Sequence, residues 1–311
     1  MAKVQEFYFD SSDCKNKIHC YKWLPEEGAP RAVVQLAHGI AEYVWRYDEF
    51  ACYLADNGFA VFGNDHLGHG GTCVTSEDYC YFTDNAGWFH VVEDMHRLHE
   101  LANEEYPLVP YILMGHSMGS FLARTYLINY PGELSGCILS GTGQKSLELC
   151  NLGILLAGAE SLRLGKRGRS PLVNKLIFGG NNIRIKPIRS EYDWLTRDDE
   201  VVDRYNADSK CGGMPTNGIV IDMLEGLKYI AKRSNLKKMD FSTPVFFFSG
   251  AEDPVGNFGK GVKQAAASFG QAGCTDVTLK LYPGSRHEIL NEINKDEVYS
   301  DVLEWLEKKL V

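Results

Sequence analysis

Gly115-His116-Ser117-Met118-Gly119 sets a serine between glycines two residues to either side, after the apolar run YILM and before SFLARTYLINY, which has helical character up to Pro131. This is G-x-S-x-G in the strand–turn–helix setting that its mechanics require: the serine rides a sharp turn that exposes its hydroxyl at the carboxyl end of a sheet. Glycine is needed where any Cβ would collide with the neighbouring strand and helix. A serine hydroxyl is a weak nucleophile, so it needs a base within hydrogen-bond reach, and the base needs an acid that fixes its tautomer. On a sheet of this kind the chain order is serine, acid, histidine. His287, in LYPGSRHEIL, is the only histidine C-terminal to Ser117. Asp253 ends the apolar run PVFFFSGAED and precedes the turn residues Pro254 and Gly256, with Glu252 as the competing carboxylate. Such a set describes acyl transfer through an acyl-serine intermediate. Its oxyanion needs fixed N–H donors, each worth about 3 kcal/mol in the transition state. The amide of Met118 is one. The second is expected in QLAHGIAEYVWRY, where His38-Gly39 leaves the amide of Ile40 facing the site, His38 acting as a support for the turn. Glu42 and Arg46, four residues apart, either brace that loop as an ion pair or form a solvated helix face.

These residues need elements that bring them together. From Arg31 onward a short apolar run, a turn rich in Gly, His or Asp, and a helical segment recur. The strand-like runs lie at 32–39, 59–66, 111–117, 136–141, 244–253 and 277–284. Continuous apolar runs of this length suit parallel strands buried on both faces. Helical segments are expected at 43–57, 86–105, 118–130, 258–271 and 294–310, the last with Val298, Val302, Trp305 and Leu306 on one face. Strand alternating with helix predicts a three-layer α/β architecture around a mostly parallel sheet. VQEFYFD and KIHCYKWLP alternate with period two around SSDCKN and predict an antiparallel hairpin at the sheet edge. The alternation stops after Ser140-Gly141 and resumes at Thr243-Pro244. A structureless loop that long is improbable, so 142–243 is expected to form an inserted helical cap on a core made of 1–141 and 244–311.

Composition narrows the partners. The net charge is −9 and the 32 basic residues are scattered, apart from Lys166, Arg167 and Arg169, which leaves no electrostatic footprint for nucleic acid. The nine cysteines are odd in number and never paired as Cys-x-x-Cys, and no signal-like or membrane-spanning apolar stretch occurs, so a cytoplasmic protein with reduced thiols is expected. Asp65-His66-Leu67-Gly68-His69-Gly70-Gly71 clusters possible ligands, but no further spacing completes a metal set, and a rigid turn near the site rim is the better reading. His96 and His99 read as ordinary helix-face residues. No metal and no organic cofactor is expected.

The segments HGIAEYVWRYDEFA, FGNDHLGHGGT, GHSMGS, SGAEDPVG and YPGSRHEILNE, in this order, resemble the monoacylglycerol lipase and lysophospholipase group of α/β-hydrolases, related to the serine aminopeptidases. The resemblance covers about 30–141 and 244–311. It implies the α/β-hydrolase fold with a helical cap, Ser117, Asp253 and His287 as catalytic triad, backbone donors at Ile40 and Met118, and Gly115, Gly119, His38 and Gly39 as supports. It implies an acyl ester of medium to long chain as small-molecule substrate. The cap departs most from the family pattern, and Ile40 stands where many relatives carry a smaller residue. The apolar stretch 147–162 either lines an acyl tunnel or touches a membrane surface transiently, or it simply buries the cap against the core. The basic run either steers a phosphate headgroup or is solvated. Two other functions remain open: a peptidase that holds an ammonium with acids among Glu191, Asp193, Asp198, Asp199 and Glu200, and a non-catalytic ligand-binding protein of the same fold.

Overall fold

The computed structural model describes residues 2–310. Eight strands form one sheet in the order β1-β2-β4-β3-β5-β6-β7-β8. They are β1 (Lys3–Asp10), β2 (Lys17–Leu24), β3 (Val33–Ala37), β4 (Ala60–Asn64), β5 (Tyr111–His116), β6 (Gly136–Ser140), β7 (Val245–Gly250) and β8 (Val277–Tyr282). The expected edge hairpin is present: β1 pairs antiparallel with β2, and β2 antiparallel with β4. From β4 through β8 every pairing is parallel.

The period of two along each buried strand divides the core into two layers. Val34 and Leu36 of β3 and Phe246 and Phe248 of β7 face one layer, while Val33, Ala37 and Phe247 face the other. The first layer is covered by α1 (Asp48–Asp56) and α10 (Lys295–Lys309), whose Val298, Val302, Trp305 and Leu306 are buried as expected. The second is covered by α2 (Gly87–Glu105), α3 (Met118–Asn129) and α9 (Lys260–Ala272). A helix on each face of a parallel sheet is how strands apolar on both sides escape water.

Between β6 and β7 the described residues form helices and no strand: α4 (Leu147–Leu164), α5 (Pro171–Phe178), α6 (Asp199–Ala207), α7 (Asn217–Ala231) and α8 (Arg233–Leu236). Serine, threonine or aspartate starts four of them. The Ser146 hydroxyl accepts from the Leu149 amide, Ser170 from Val173, Asp198 from Glu200 and Val201, and Thr216 from Ile219. Each such cap satisfies an orphan N–H and stabilises its helix by about 1 kcal/mol. α7 buries Ile219, Val220, Met223 and Leu227 in the layer above α2 and α3. α4 lies along α7 through its small side, with Cys150 and Ala157 buried and Gly153 facing Leu224. No helix among the described residues is long and apolar enough to cross a membrane.

Candidate active site

Ser117 sits between β5 and α3 with φ 54° and ψ −120°, a left-handed conformation that costs a non-glycine residue about 1–3 kcal/mol. The turn is anchored by the Ser117 amide, which donates to the Ser140 carbonyl at 2.9 Å, and by the Ser120 hydroxyl, which donates to the Ser117 carbonyl at 2.6 Å. The flanking glycines are required by contact distance. A Cβ on Gly115 would lie 2.3 Å from the Gly119 carbonyl oxygen, and one on Gly119 would lie 2.0 Å from the Ala37 carbonyl oxygen.

Asp253 follows β7 and is wholly buried. Its Oδ2 accepts from the Ser249 hydroxyl at 3.0 Å and its Oδ1 from the Val255 amide at 2.8 Å. Oδ1 also stands 3.0 Å from Nδ1 of His287, although the Nδ1–H direction is poorly aligned for a hydrogen bond. Loose alignment of this kind is common before substrate binds and tightens in the reacting complex. Glu252 points elsewhere and pairs with Arg184 at 3.2 Å. Burial by itself would lower the His287 pKa, but the negative charge of Asp253, with Glu288 and Glu42 behind it, outweighs that effect and raises it above 6.5. The neighbouring His116, whose ring centroid is 4.6 Å from that of His287, is pushed down to about 4 by burial and by His287. It is therefore neutral at pH 7, and its Nδ1 lies 3.1 Å from the Ser140 hydroxyl.

Gly39 lies against the serine: a Cβ there would come within 3.1 Å of the Ser117 Cβ. The amides of Ile40 and Met118 donate no hydrogen bond to other backbone among the described residues, and Met118 is the first residue of α3, where N–H groups lack helical partners. His38 is buried, accepts from the His66 amide at Nε2 and places Nδ1 2.7 Å from the Gly39 carbonyl, so it shapes the turn. Asp65 likewise belongs to a rigid turn, accepting from the amides of Val44 and Gly71 with His19 at 2.8 Å.

The Glu42–Arg46 pair is buried and extends further than its spacing implies. Glu42 accepts from the Gly39 amide at 2.6 Å and from the Tyr47 hydroxyl at 2.9 Å, and its other oxygen from Arg46 at 2.6 Å. Arg46 then makes a two-pronged contact to Glu288, both bonds 2.6 Å, and stacks on Tyr205. Burial would raise the Glu288 pKa, but Arg46 holds it far below the ordinary carboxylate value, so Glu288 is ionised at pH 7. One guanidinium thus ties the Gly39–Ile40 loop to the residue after His287. Glu288 was missed from sequence; its position beside His287 was the available signal.

The segment 193–197 also grips the histidine loop. The Glu288 amide donates to the Leu195 carbonyl at 2.6 Å, Arg286 donates to the carbonyls of Asp193 and Thr196, and Arg197 pairs with Glu292 at 2.9 Å. Trp194 lies over His287 with ring centroids 4.9 Å apart. None of these contacts has a sequence signature.

Two cavities meet at Ser117 and Ile40. The smaller, about 60 Å³, is bordered by Gly39, His287, Glu191, Tyr192 and Asn174. The larger, about 370 Å³, runs under the inserted helices past Phe121, Leu149, Leu152, Leu176, Met223 and Leu227. The basic run is occupied elsewhere. Arg167 pairs with Asp78 and stacks on Tyr81, Arg169 donates to the carbonyls of Met214 and Tyr79, and Lys166 contacts the Asp84 carbonyl. These residues stitch the inserted segment to the 76–84 loop. Of the acids considered for an ammonium, Asp198 caps α6, Asp193 accepts from Arg189 and Ser190, and Asp199 pairs with Arg189. Only Glu191 of that set borders a cavity at Ser117.

A nearly parallel eight-stranded sheet with a strained serine turn after its central strand defines an α/β-hydrolase. The family model described as serine aminopeptidase, S33, matches residues 28–294, and the chain belongs to that family. It is 31% identical to a monoacylglycerol lipase of Mycolicibacterium smegmatis over 91% of this chain and 90% of that protein. With the human monoglyceride lipase it shares 27% identity over 94% and 87%. A thermostable carboxyl esterase from Bacillus coagulans, solved with glycerol, superposes with a TM-score of 0.91 at 29% identity, covering 100% of both chains.

Proposed function

We propose that the chain is a serine hydrolase that cleaves carboxylic esters of long-chain acids with a small polar alcohol, a monoacylglycerol lipase-like activity. The observation that carries this reading is that Ser117 lies at the junction of a small, partly polar cavity and a long apolar one. An ester with a compact alcohol and a long acyl chain fits that pairing, its carbonyl carbon at the serine. The lipase and esterase relatives support the same chemistry. The Ser117 hydroxyl attacks the carbonyl carbon while His287 Nε2 takes its proton, and Asp253 holds the resulting imidazolium. The amides of Ile40 and Met118 stabilise the oxyanion. Collapse of the tetrahedral intermediate expels the alcohol, which receives the proton from His287. Water, activated by the same histidine, then releases the fatty acid. Arg167 and Arg169 are engaged with the 76–84 loop, which favours a glycerol over a phosphate-bearing headgroup.

Residues 142–243 act as the cap over the acyl cavity. Leu152, Leu155 and Leu162 of α4 and Leu172 and Leu176 of α5 are exposed, an apolar surface suited to transient contact with a membrane that delivers the substrate. The nine free thiols suit a reducing, cytoplasmic setting.

The test compares wild-type and Ser117→Ala protein on p-nitrophenyl esters of increasing chain length, then on monoacylglycerol and lysophosphatidylcholine. The expected result is a long-chain optimum, preference for the glycerol ester, and a loss of up to about a millionfold in the variant. Hydrolysis that survives Ser117→Ala refutes the mechanism. Turnover of aminoacyl amides but no ester would shift the reading to the peptidase, with Glu191 as the ammonium contact. A fluorophosphonate that leaves Ser117 unlabelled would favour the non-catalytic alternative.

A further inference from the structure

A second cluster of reactive side chains lies away from the serine, between the C-terminal half of α2 and the turn that leads from α3 to β6. His96 and His99 are three residues apart on one face of α2, and Glu133 reaches them from that turn. One ligand atom from each lies within 4.8 Å of the other two. Glu133 Oε2 is 3.0 Å from His96 Nε2 and 3.5 Å from His99 Nδ1. A tetrahedral ion with bonds of about 2.0–2.1 Å to nitrogen and oxygen has ligand–ligand edges of roughly 3.3 Å, which those two separations bracket.

We infer that His96, His99 and Glu133 form a zinc-class metal site, and that a bound ion staples α2 to the α3–β6 turn. Two imidazoles and one carboxylate suit Zn²⁺ or Co²⁺ rather than Mg²⁺ or Ca²⁺, which prefer an all-oxygen shell. The side chains are held in place before any ion arrives. His96 stacks on Tyr130 with centroids 3.9 Å apart and planes 4° from parallel, and the His99 ring lies 3.9 Å from that of Tyr111. The Tyr126 hydroxyl, 3.2 Å from Glu133 Oε2 and 2.6 Å from His99 Nδ1, orients the carboxylate once the metal takes the imidazole nitrogen. Arg97, the nearest cation on the helix, is turned to Glu100 and Glu104. Glu133 is 38% and His96 21% exposed, so an ion can enter from solvent and water can complete its shell. The site differs from the Asp65–His69 turn, whose carboxylate is saturated by backbone amides and His19. It stands on packing and geometry and is independent of the proposed ester chemistry.

The experiment titrates ZnCl₂ into the chelator-treated full chain by calorimetry and records the visible spectrum with Co²⁺. The expected result is one equivalent bound, a tetrahedral Co²⁺ spectrum without a thiolate charge-transfer band, and a rise in Tm with Zn²⁺. His96→Ala and Glu133→Gln each weaken binding at least about tenfold and abolish the Tm rise. Their metal-free circular dichroism and ester turnover stay at wild-type values. Glu133→Gln sits at the surface and keeps the test valid even where loss of a stacked histidine disturbs the helix. A thiolate band, or equal affinity in wild type and variants, overturns the assignment by placing the ion on cysteines or on scattered surface groups.

Discussion

Arg46→Met removes the cation shared by two buried carboxylates while keeping the apolar stem of the side chain. In the native protein the side chains of Glu42 and Glu288 are each 5% exposed, and Arg46 is 11% exposed. Removing one partner of a buried ion pair costs about 3–5 kcal/mol, because the remaining charge keeps its desolvation penalty. Here two acids lose their cation, so the upper end of that range is expected. With a Tm shift of about 2 °C per kcal/mol for a large domain, Tm should fall by roughly 8–10 °C at pH 7. The sign with pH follows from Glu288, whose folded pKa lies far below its ordinary 4.5. A carboxylate depressed in this way contributes stability above its unfolded pKa and loses it as pH falls toward the folded value. The penalty should therefore be largest at neutral pH and shrink as the pH drops below about 4.5. Thermal and urea denaturation at pH 7 and pH 4 measure it. Adding Glu288→Gln should recover about half the loss, since Glu42 alone keeps the Gly39 amide and the Tyr47 hydroxyl. A shift under about 0.5 kcal/mol, typical of surface changes, or no recovery in the double variant, would refute the shared-charge reasoning.

The acid limb of kcat/KM should lie above pH 6.5, because the proposed base His287 must be neutral to take a proton from Ser117, and Asp253, Glu288 and Glu42 outweigh burial in raising its pKa. Asp253→Asn should move that limb to lower pH, and an unmoved limb would show that another group titrates. Gly119→Ala should cost more than about 3 kcal/mol or prevent folding, since its Cβ meets the Ala37 carbonyl oxygen at 2.0 Å. Gly158→Ala, where nothing lies within 4 Å, should be neutral or stabilise α4 by up to about 1 kcal/mol; chemical denaturation separates the two. Leu152→Asp at the wall of the long cavity should lower turnover of long-chain esters about tenfold and leave short esters nearly unchanged, as a chain-length series would reveal.

What could be read in advance follows from how local the constraint is. β5, Ser117 and α3 are contiguous, and the strained turn leaves a mark in the two glycines it requires, so sequence alone places the serine. The strands declare themselves because burial on both faces forces unbroken apolar runs such as FFF in β7. The behaviour of α4 is the contrary case. Its apolar composition leaves open whether it lines a tunnel or packs inward, because hydrophobicity does not say which side of a helix meets its neighbour. The structure packs its small residues, Cys150, Gly153 and Ala157, against α7 and turns Leu149, Leu152 and Leu155 toward the cavity and solvent. Close approach between helices favours small residues at the contact, and the large side chains are left for whatever the cavity holds. The pairing of Arg46 with Glu288 and the cluster of His96, His99 and Glu133 unite positions tens to hundreds of residues apart, and no periodicity within either segment encodes such a meeting.

The same geometry ties catalysis to the inserted segment. The loop bearing His287 is held from the core by Arg46 through Glu288 and from the insert by the Leu195 carbonyl, Arg197 and the overlying Trp194 ring. The Gly39–Ile40 loop hangs from the same guanidinium through Glu42. The proposed oxyanion donor and the proposed base are thus two ends of one charged network, while the proposed nucleophile is fixed separately by the β5–α3 turn. A displacement of residues 193–197, by substrate entry or by contact of the exposed leucines with a lipid surface, would reach His287 without moving Ser117. Disturbing the network should therefore lower kcat while substrate held in the apolar cavity keeps most of its affinity, whereas changes at Leu152 should act in proportion to acyl chain length.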